Sequence, residues 1–472
     1  MTGIYHPDDR HASRQPGWKA YQERLKQRQR PPAPNRKKIQ RNRPDLKFTG
    51  LLKITGLLIV LLVLVGGLFL YPKGGAEVPP AETPPAAASP KLAARIQKSD
   101  LRILLGQNHL TNVTQQPVQV VFDGHPYKVR TSLDMGLQQY LLDNLDRVNS
   151  RYIGIVAMQP QTGRLITMVG FDKQNPAHDP CVCADYPAAS LFKIVTAAAA
   201  VEKKGYTAGT NLKFNGYKHT LYKRQLTDTT NRYTISTTLE DAFAQSINPV
   251  FGKIGALYID PAALKAVGDA LGFNREMNFD LPWPVSHLEI DDDTYHRAEI
   301  ASGFNRETTL SPLHGAVIVA TMINGGKPVE PTLVDQIVDD RGNSIYRGAP
   351  HVLPPAVSAG TATQLQRMME ATITSGTGRR AFRGHGKSAV LSRLTLGGKT
   401  GSISNQANDT RFDWFAGFAT EKNGSEKLAI AVMVGHGEYI GTRAGHYARM
   451  AFEYYFKEYF AQKEPVGGAS NS

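Results

Sequence analysis

The chain has 472 residues, of which 41% are hydrophobic and 20% are charged, a composition that excludes a mainly disordered chain and allows one sizeable folded domain with attached segments. The formal net charge of +14 is compatible with a protein that binds nucleic acid. However, basic residues crowd the segment before residue 53, as in RQRPPAPNRKK, and the rest of the chain is closer to balance. This uneven distribution argues against nucleic acid as the partner of the folded part.

An uncharged run, ITGLLIVLLVLVGGLFLY, extends from Ile54 to Tyr71. A bilayer core of roughly 30 Å needs about 20 apolar helical residues, so we expect one transmembrane helix at 53–72. The Lys/Arg excess precedes this run and therefore places a basic tail, residues 1–52, in the cytoplasm. The sequence predicts a single-pass protein of the cytoplasmic membrane whose C-terminal bulk lies outside. The tail is a solvated segment or a contact for cytoplasmic partners or anionic lipids.

A Pro/Ala-rich segment, VPPAETPPAAASP, follows the membrane helix and is typical of an extended spacer. We assign residues 73–129 to a linker with a small bracing region and residues 130–464 to the main domain. Two predicted strands, YIGIVAMQP and RLITMVGF, flank the turn QTG, and three more appear later in LGGKTGSIS, FDWFAGFAT and KLAIAVMVG. Long helical patterns separate the two groups. This order predicts an α/β (α+β) fold with a mainly antiparallel five-stranded sheet covered by helices.

The first candidate motif is a serine followed three residues later by a lysine. Ser190 begins a predicted helix, and Lys193 lies one turn further on the same face. A helix N-terminus favours a developing oxyanion, and the lysine can exchange a proton with the hydroxyl. A serine that only caps a helix would have the same pattern, so the motif alone is uninformative.

Two further motifs follow in order. Ser246 and Asn248 end an apolar helical stretch before Pro249, where a hydroxyl and an amide suit proton relay and substrate binding. Lys399, Thr400 and Gly401, followed by Ser402, open a later predicted strand whose edge could pair with an extended peptide. Each has an ordinary alternative: a polar helix end and an edge strand protected by a lysine.

Together, the three motifs resemble those of the serine penicillin-binding protein and β-lactamase superfamily. The stretches GIVAMQPQTGRLITMVG, ETTLSPLHGAVIVATMINGG and GGKTGSISN resemble the transpeptidase domain of its high-molecular-mass members over about residues 130–460. The chain departs mildly from the family pattern at Ala189, where glycine is common, and at Ser402, where threonine is usual.

The resemblance implies a peptidoglycan D,D-transpeptidase that needs no metal or organic cofactor. Ser190 would attack a D-Ala-D-Ala stem peptide or a β-lactam, with Lys193 as general base, Ser246 in proton transfer and Lys399 as a source of positive charge. Asn248 would bind the donor amide, and Thr400, Gly401 and Ser402 would bind the donor peptide and its carboxylate. The backbone N–H groups of Ser190 and Ser402 would form the oxyanion hole.

No second catalytic domain fits between residues 73 and 130, so a separate glycan polymerase or wall-synthesis assembly is an expected partner. A D,D-carboxypeptidase, a β-lactamase and a β-lactam sensor or scaffold without turnover are the alternatives. Cys181 and Cys183, the only cysteines, lie in the exported part, where a disulfide, a metal contact and two free thiols all remain open.

Overall fold

The computed structural model describes residues 96–106 and 108–463. The predicted basic tail, the predicted membrane helix and the first part of the predicted linker lie outside these ranges. Among the residues that the structure describes, no helix is both long enough and apolar enough to cross a membrane.

A five-stranded antiparallel sheet forms the centre of the fold. Its strands, in their order across the sheet, are β4 (Leu165–Asp172), β3 (Ser150–Met158), β11 (Lys427–His436), β10 (Arg411–Glu421) and β9 (Leu394–Ser404). Every neighbouring pair is antiparallel. The prediction that the two early and three late strands join in one sheet is confirmed, and β9 lies at an edge.

The described part of the chain contains helices before, between and after these strands. They are α1 (Leu101–Leu105), α2 (Met135–Asp143), α3 (Lys193–Lys204), α4 (Leu239–Ala244), α5 (Asn248–Lys253), α6 (Pro261–Ala270), α7 (Thr294–Ser302), α8 (Pro312–Ile323), α9 (Ala359–Thr374) and α10 (Ala444–Lys463). Several begin at a side chain that caps the free backbone N–H groups: Ser311 accepts from His314 before α8, and Ser358 accepts from Thr361 before α9.

Helices cover both faces of the sheet, and the alternation of β10 shows how. Trp414, Ala416 and Phe418 point to the face that carries α8 and α9. Phe415 and Ala419 point to the opposite face, against α10. The edge strand β9, which contains the third sequence motif, packs against α9.

A second, four-stranded sheet was not predicted. It consists of β1 (Val118–Phe122), β2 (His125–Thr131), β7 (Val334–Val338) and β8 (Ser344–Arg347) in that order. The segment VQVVF forms β1, but its sheet is completed by residues about two hundred positions later, a pairing that local patterns do not reveal. A short hairpin, β5 (Asn211–Phe214) with β6 (Ile235–Thr238), lies elsewhere.

The two later motifs lie at different kinds of position. A helix does end at the Ser246 motif, as expected: α4 ends at Ala244, and Ser246 has a positive φ of 55° before α5 begins at Asn248. The expectation that the Lys399 motif opens its strand was wrong, because β9 starts at Leu394. Lys399 therefore lies in the middle of the edge strand.

Candidate active site

Ser190 lies in a single 3₁₀ turn, Ala189–Phe192, that leads directly into α3. Ala189, at the start of this turn, has a positive φ of 49°. The Lys193 ammonium group lies 2.8 Å from Ser190 Oγ. The sequence prediction that these two side chains share one face of the helix agrees with this geometry.

Lys193 is fully buried and binds three oxygen atoms. Besides Ser190 Oγ, its Nζ lies 2.8 Å from Asn248 Oδ1 and contacts the Ser302 carbonyl oxygen. Burial first, and then the positive charge of Lys399, hold the pKa of Lys193 well below its usual range. A neutral amine in hydrogen-bond contact with a hydroxyl is the arrangement that a general base requires.

A second lysine–serine pair faces the first. Lys399, on β9, is also fully buried, and its Nζ donates to Ser246 Oγ and to the Thr400 carbonyl oxygen, both at 3.0 Å. Burial lowers the pKa of Lys399 to about 7. The turn between α4 and α5 thus presents Ser246 to one lysine and Asn248 to the other.

Aromatic rings close the site behind the lysines. Phe251 of α5 lies 5.6 Å from Lys193 Nζ, and Phe243 of α4 lies 5.5 Å from Lys399 Nζ. Both rings are fully buried. They contribute to the burial that lowers the pKa of both amines, while the ring faces are a favourable environment for a positive charge.

The edge strand approaches Ser190 through a glycine. A Cβ built on Gly401 would lie 3.3 Å from both Ser190 N and Ala189 Cβ, so a side chain here would crowd the turn that carries Ser190. Trp414, paired with Gly401 on β10, donates from its indole to the Pro187 carbonyl at 3.0 Å. This bond fixes the chain just before Ser190.

Thr400 and Ser402 lie on the exposed edge and leave the strand on the face opposite to Lys399. Thr400 Oγ1 is 2.6 Å from Thr377 Oγ1, in the loop after α9. The Ser402 side chain is exposed. These two hydroxyls are therefore at the rim of the site, whereas Ser190, Lys193, Ser246, Asn248 and Lys399 form its interior.

The sequence analysis missed the segment that follows α7. Gly303 ends that helix with a left-handed φ of 64°, and a Cβ built on it would lie 1.9 Å from the Ala189 carbonyl oxygen. The preceding residue, Ser302, supplies the carbonyl that binds Lys193. A serine–glycine pair at a helix end is common, so no signal in the sequence marked it as part of a site.

Cys181 and Cys183 are both free thiols, and Cys181 is completely buried. No group of three or more His, Cys, Asp or Glu side chains in the described ranges is arranged to hold a metal ion.

The profile of one protein family, the penicillin binding protein transpeptidase domain, matches residues 153–454. This match covers 302 of the 472 residues and includes all eight predicted site residues. The chain belongs to this family.

Among its relatives is the peptidoglycan D,D-transpeptidase PbpA of Mycolicibacterium smegmatis, which is 26% identical over 331 residues that cover 60% of this chain and 62% of that protein. The chain spans about half to three fifths of the length of the curated relatives it matches.

Two solved structures are similar in fold. The D,D-transpeptidase domain of a peptidoglycan glycosyltransferase from Eggerthella lenta has a TM-score of 0.56 and 23% identity, covering 71% of this chain and 84% of that one. An imipenem acyl-enzyme complex of penicillin-binding protein A from M. tuberculosis has a TM-score of 0.54 and 23% identity, covering 69% and 79%.

Proposed function

We propose that this chain is a peptidoglycan D,D-transpeptidase in which Ser190 forms an acyl-enzyme with a donor stem peptide. The observation that carries the proposal is the 2.8 Å contact between Ser190 Oγ and the amine of a fully buried lysine with a lowered pKa. Membership of the transpeptidase family and the activity named for the mycobacterial relative support it.

In the acylation step, Ser190 Oγ attacks the carbonyl carbon of the penultimate D-Ala, and the hydroxyl proton passes to the neutral Lys193. The carbonyl oxygen becomes an oxyanion held by the N–H groups of Ser190 and Ser402. Gly401 supports this assignment, because its close approach to Ser190 N brings β9 beside the nucleophile. The C–N bond then breaks, and the terminal D-Ala leaves as an amine after taking up a proton through Ser246.

Lys399 and Ser246 provide the path for the proton that the leaving amine takes up. The Lys399 amine donates to Ser246 Oγ, which leaves the Ser246 proton free to move toward the leaving nitrogen. In the transfer step, an amine of a neighbouring stem peptide attacks the ester carbonyl and loses a proton along the same path, and Ser190 Oγ leaves and is reprotonated.

The donor peptide would lie along the exposed edge of β9 as an added strand. Asn248 would bind its amide, since the amide nitrogen of Asn248 remains available while its Oδ1 accepts from Lys193. Thr400 and Ser402 at the rim would bind the terminal carboxylate. A β-lactam presents a strained amide in place of the D-Ala-D-Ala bond and would acylate the same hydroxyl.

The cellular setting follows from the sequence. The predicted membrane helix at 53–72 and the basic tail at 1–52 would anchor the chain in the cytoplasmic membrane with residues 130–464 outside. The Pro/Ala-rich segment at 78–90, within the 73–129 linker and bracing region, would hold this domain away from the bilayer. A glycan polymerase in a wall-synthesis assembly would supply the strands, because we assign no polymerase domain to this chain.

The full-length protein in detergent tests this function with a D-Ala-D-Ala stem pentapeptide as donor and a fluorescent D-amino acid as acceptor, with mass spectrometry of the products. We expect the acceptor to replace the terminal D-Ala, and we expect Ser190→Ala to form no product. Release of D-Ala with only hydrolysed peptide would indicate a carboxypeptidase instead. A stable acyl-enzyme without any product would indicate a sensor or scaffold.

A further inference from the structure

An exposed loop next to the site carries an unusual combination of side chains. Residues 215–234, between β5 and β6, contain four basic residues, one acidic residue and three tyrosines. The tyrosines, Tyr217, Tyr222 and Tyr233, are 82%, 44% and 67% exposed. Exposed aromatic rings interleaved with cations are typical of recognition surfaces.

The loop is internally fixed. Gln225 is almost completely buried, and its amide nitrogen donates to the Asn215 and Tyr217 carbonyl oxygens at 2.9 and 3.4 Å. Its carbonyl oxygen accepts from Tyr222 N and from Thr220 Oγ1. The exposed rings are therefore carried by an organised backbone, which reduces the entropy lost when a ligand binds.

The loop borders the candidate site. The Lys218 carbonyl accepts the backbone N–H of Asn248 at 2.7 Å. Asn248 accepts from Lys193, and Ser246, two residues earlier, accepts from Lys399 on β9. The loop therefore adjoins the segment that faces the edge strand across the two lysines, and a ligand that rests on the loop can extend into the site from this segment.

The cations of the loop are available to an outside anion. The one acidic residue, Asp228, is already bound by Lys253 Nζ at 3.2 Å and by the Tyr258 hydroxyl. Within the described ranges, no carboxylate forms a salt bridge with Lys218, Lys223, Arg224 or Arg232.

The two guanidinium groups are held by their neighbouring rings. Arg232 lies 4.7 Å from the ring centre of Tyr233, and Arg224 lies 5.4 Å from that of Tyr222. Asp293 lies near Lys223 and partly offsets its charge. Lys218, Arg224 and Arg232 are therefore the exposed cations of the loop that can pair with an outside anion.

We propose that the 215–234 loop binds the peptidoglycan strand that supplies the acceptor amine. Pyranose rings present an apolar C–H face that stacks on tyrosine, and the stem peptides of the strand carry carboxylates that pair with the cations. The donor occupies the β9 edge in the mechanism above, so the acceptor has to enter from the segment that faces this edge across the two lysines, which the loop adjoins. The inference rests on the proposed function and adds the acceptor subsite to it.

The test uses full-length protein in detergent and two double variants, Arg224→Ala with Arg232→Ala and Tyr217→Ala with Tyr233→Ala. A matched control, Lys128→Ala with Arg130→Ala, removes two exposed cations from β2 of the other sheet. Binding to soluble uncross-linked peptidoglycan strands is measured by sedimentation, together with the rates of acylation by fluorescent penicillin and of cross-link formation. Poly-glutamate, which carries carboxylates but no sugar, serves as a competitor for strand binding.

We expect both loop variants to bind strands about tenfold more weakly and to cross-link more slowly, with penicillin acylation and the control variant unaltered. Unaltered strand binding in the loop variants would overturn the proposal. Equal competition by poly-glutamate would also overturn it, because the loop would then be a surface for acidic partners in general. A wild-type chain that binds strands but is not acylated would refute the proposed function and leave the binding result standing.

Discussion

Gly303→Ala perturbs the nucleophile through the backbone. The new Cβ would lie 1.9 Å from the Ala189 carbonyl oxygen, whereas real Cβ contacts are essentially never shorter than 3.0 Å. The turn before Ser190 therefore has to move by about 1.1 Å, the difference between these distances, and a misplacement of this size lowers a catalytic rate by about 100-fold. We expect that loss in the rate constant for acylation by penicillin, measured by stopped-flow fluorescence.

Gly205→Ala is the matched control. Gly205 also ends a helix, α3, with the same φ of 64°, but nothing lies within 4 Å of a Cβ built on it. Both variants carry the strain of alanine in a left-handed conformation, about 1–2 kcal/mol, and only Gly303→Ala adds the contact with Ala189. Equal acylation rates in the two variants would refute the reasoning that Gly303 positions the nucleophile.

Four further predictions concern Lys193 as the base, the pH dependence of acylation, the Trp414 bond before Ser190 and the two thiols. Lys193→Met should lower the acylation rate by about 10²–10⁴-fold, as followed by penicillin fluorescence; a variant with the wild-type rate would exclude Lys193 as the base. Because the pKa of Lys193 is lowered, wild-type acylation should remain fast at pH values well below the usual lysine range and decline only as acid protonates the amine; a pH–rate profile that falls near the usual lysine pKa would contradict this. Trp414→Phe removes the indole bond to Pro187 and should reduce the free energy of unfolding by about 1–3 kcal/mol in urea titrations, whereas an unchanged midpoint would show that the bond contributes little. Iodoacetamide should label Cys183 in the native protein and Cys181 only after unfolding, as mass spectrometry of peptides would show; protection of both thiols until a reductant is added would indicate a disulfide.

Short-range patterns predicted the central part of the molecule. Alternating and continuous apolar runs predicted the five strands. The signal was clear in β3 and β11 because both strands are buried on both faces and therefore consist mostly of apolar residues. The three motifs were found by residue type and order, and their side chains meet in the structure as the Lys193 and Lys399 contacts show.

Long-range and backbone features were not predictable in the same way. The second sheet joins β2 to β7, which are far apart in the chain. The contact of Gly303 with Ala189 and the bond from Lys193 to the Ser302 carbonyl depend on where α7 ends relative to α3. The lowered pKa values of Lys193 and Lys399 arise from the burial of both amines in the folded chain. None of these has a local pattern, since each arises only when distant elements pack together.

The most direct test of the central claim is the intact mass of the full-length protein after reaction with a fluorescent penicillin, with Ser190→Ala beside the wild type. We expect one covalent adduct on the wild type and none on the variant, because the Ser190 hydroxyl beside Lys193 is the proposed nucleophile. An equal adduct on Ser190→Ala, or none on folded wild-type protein, would contradict it.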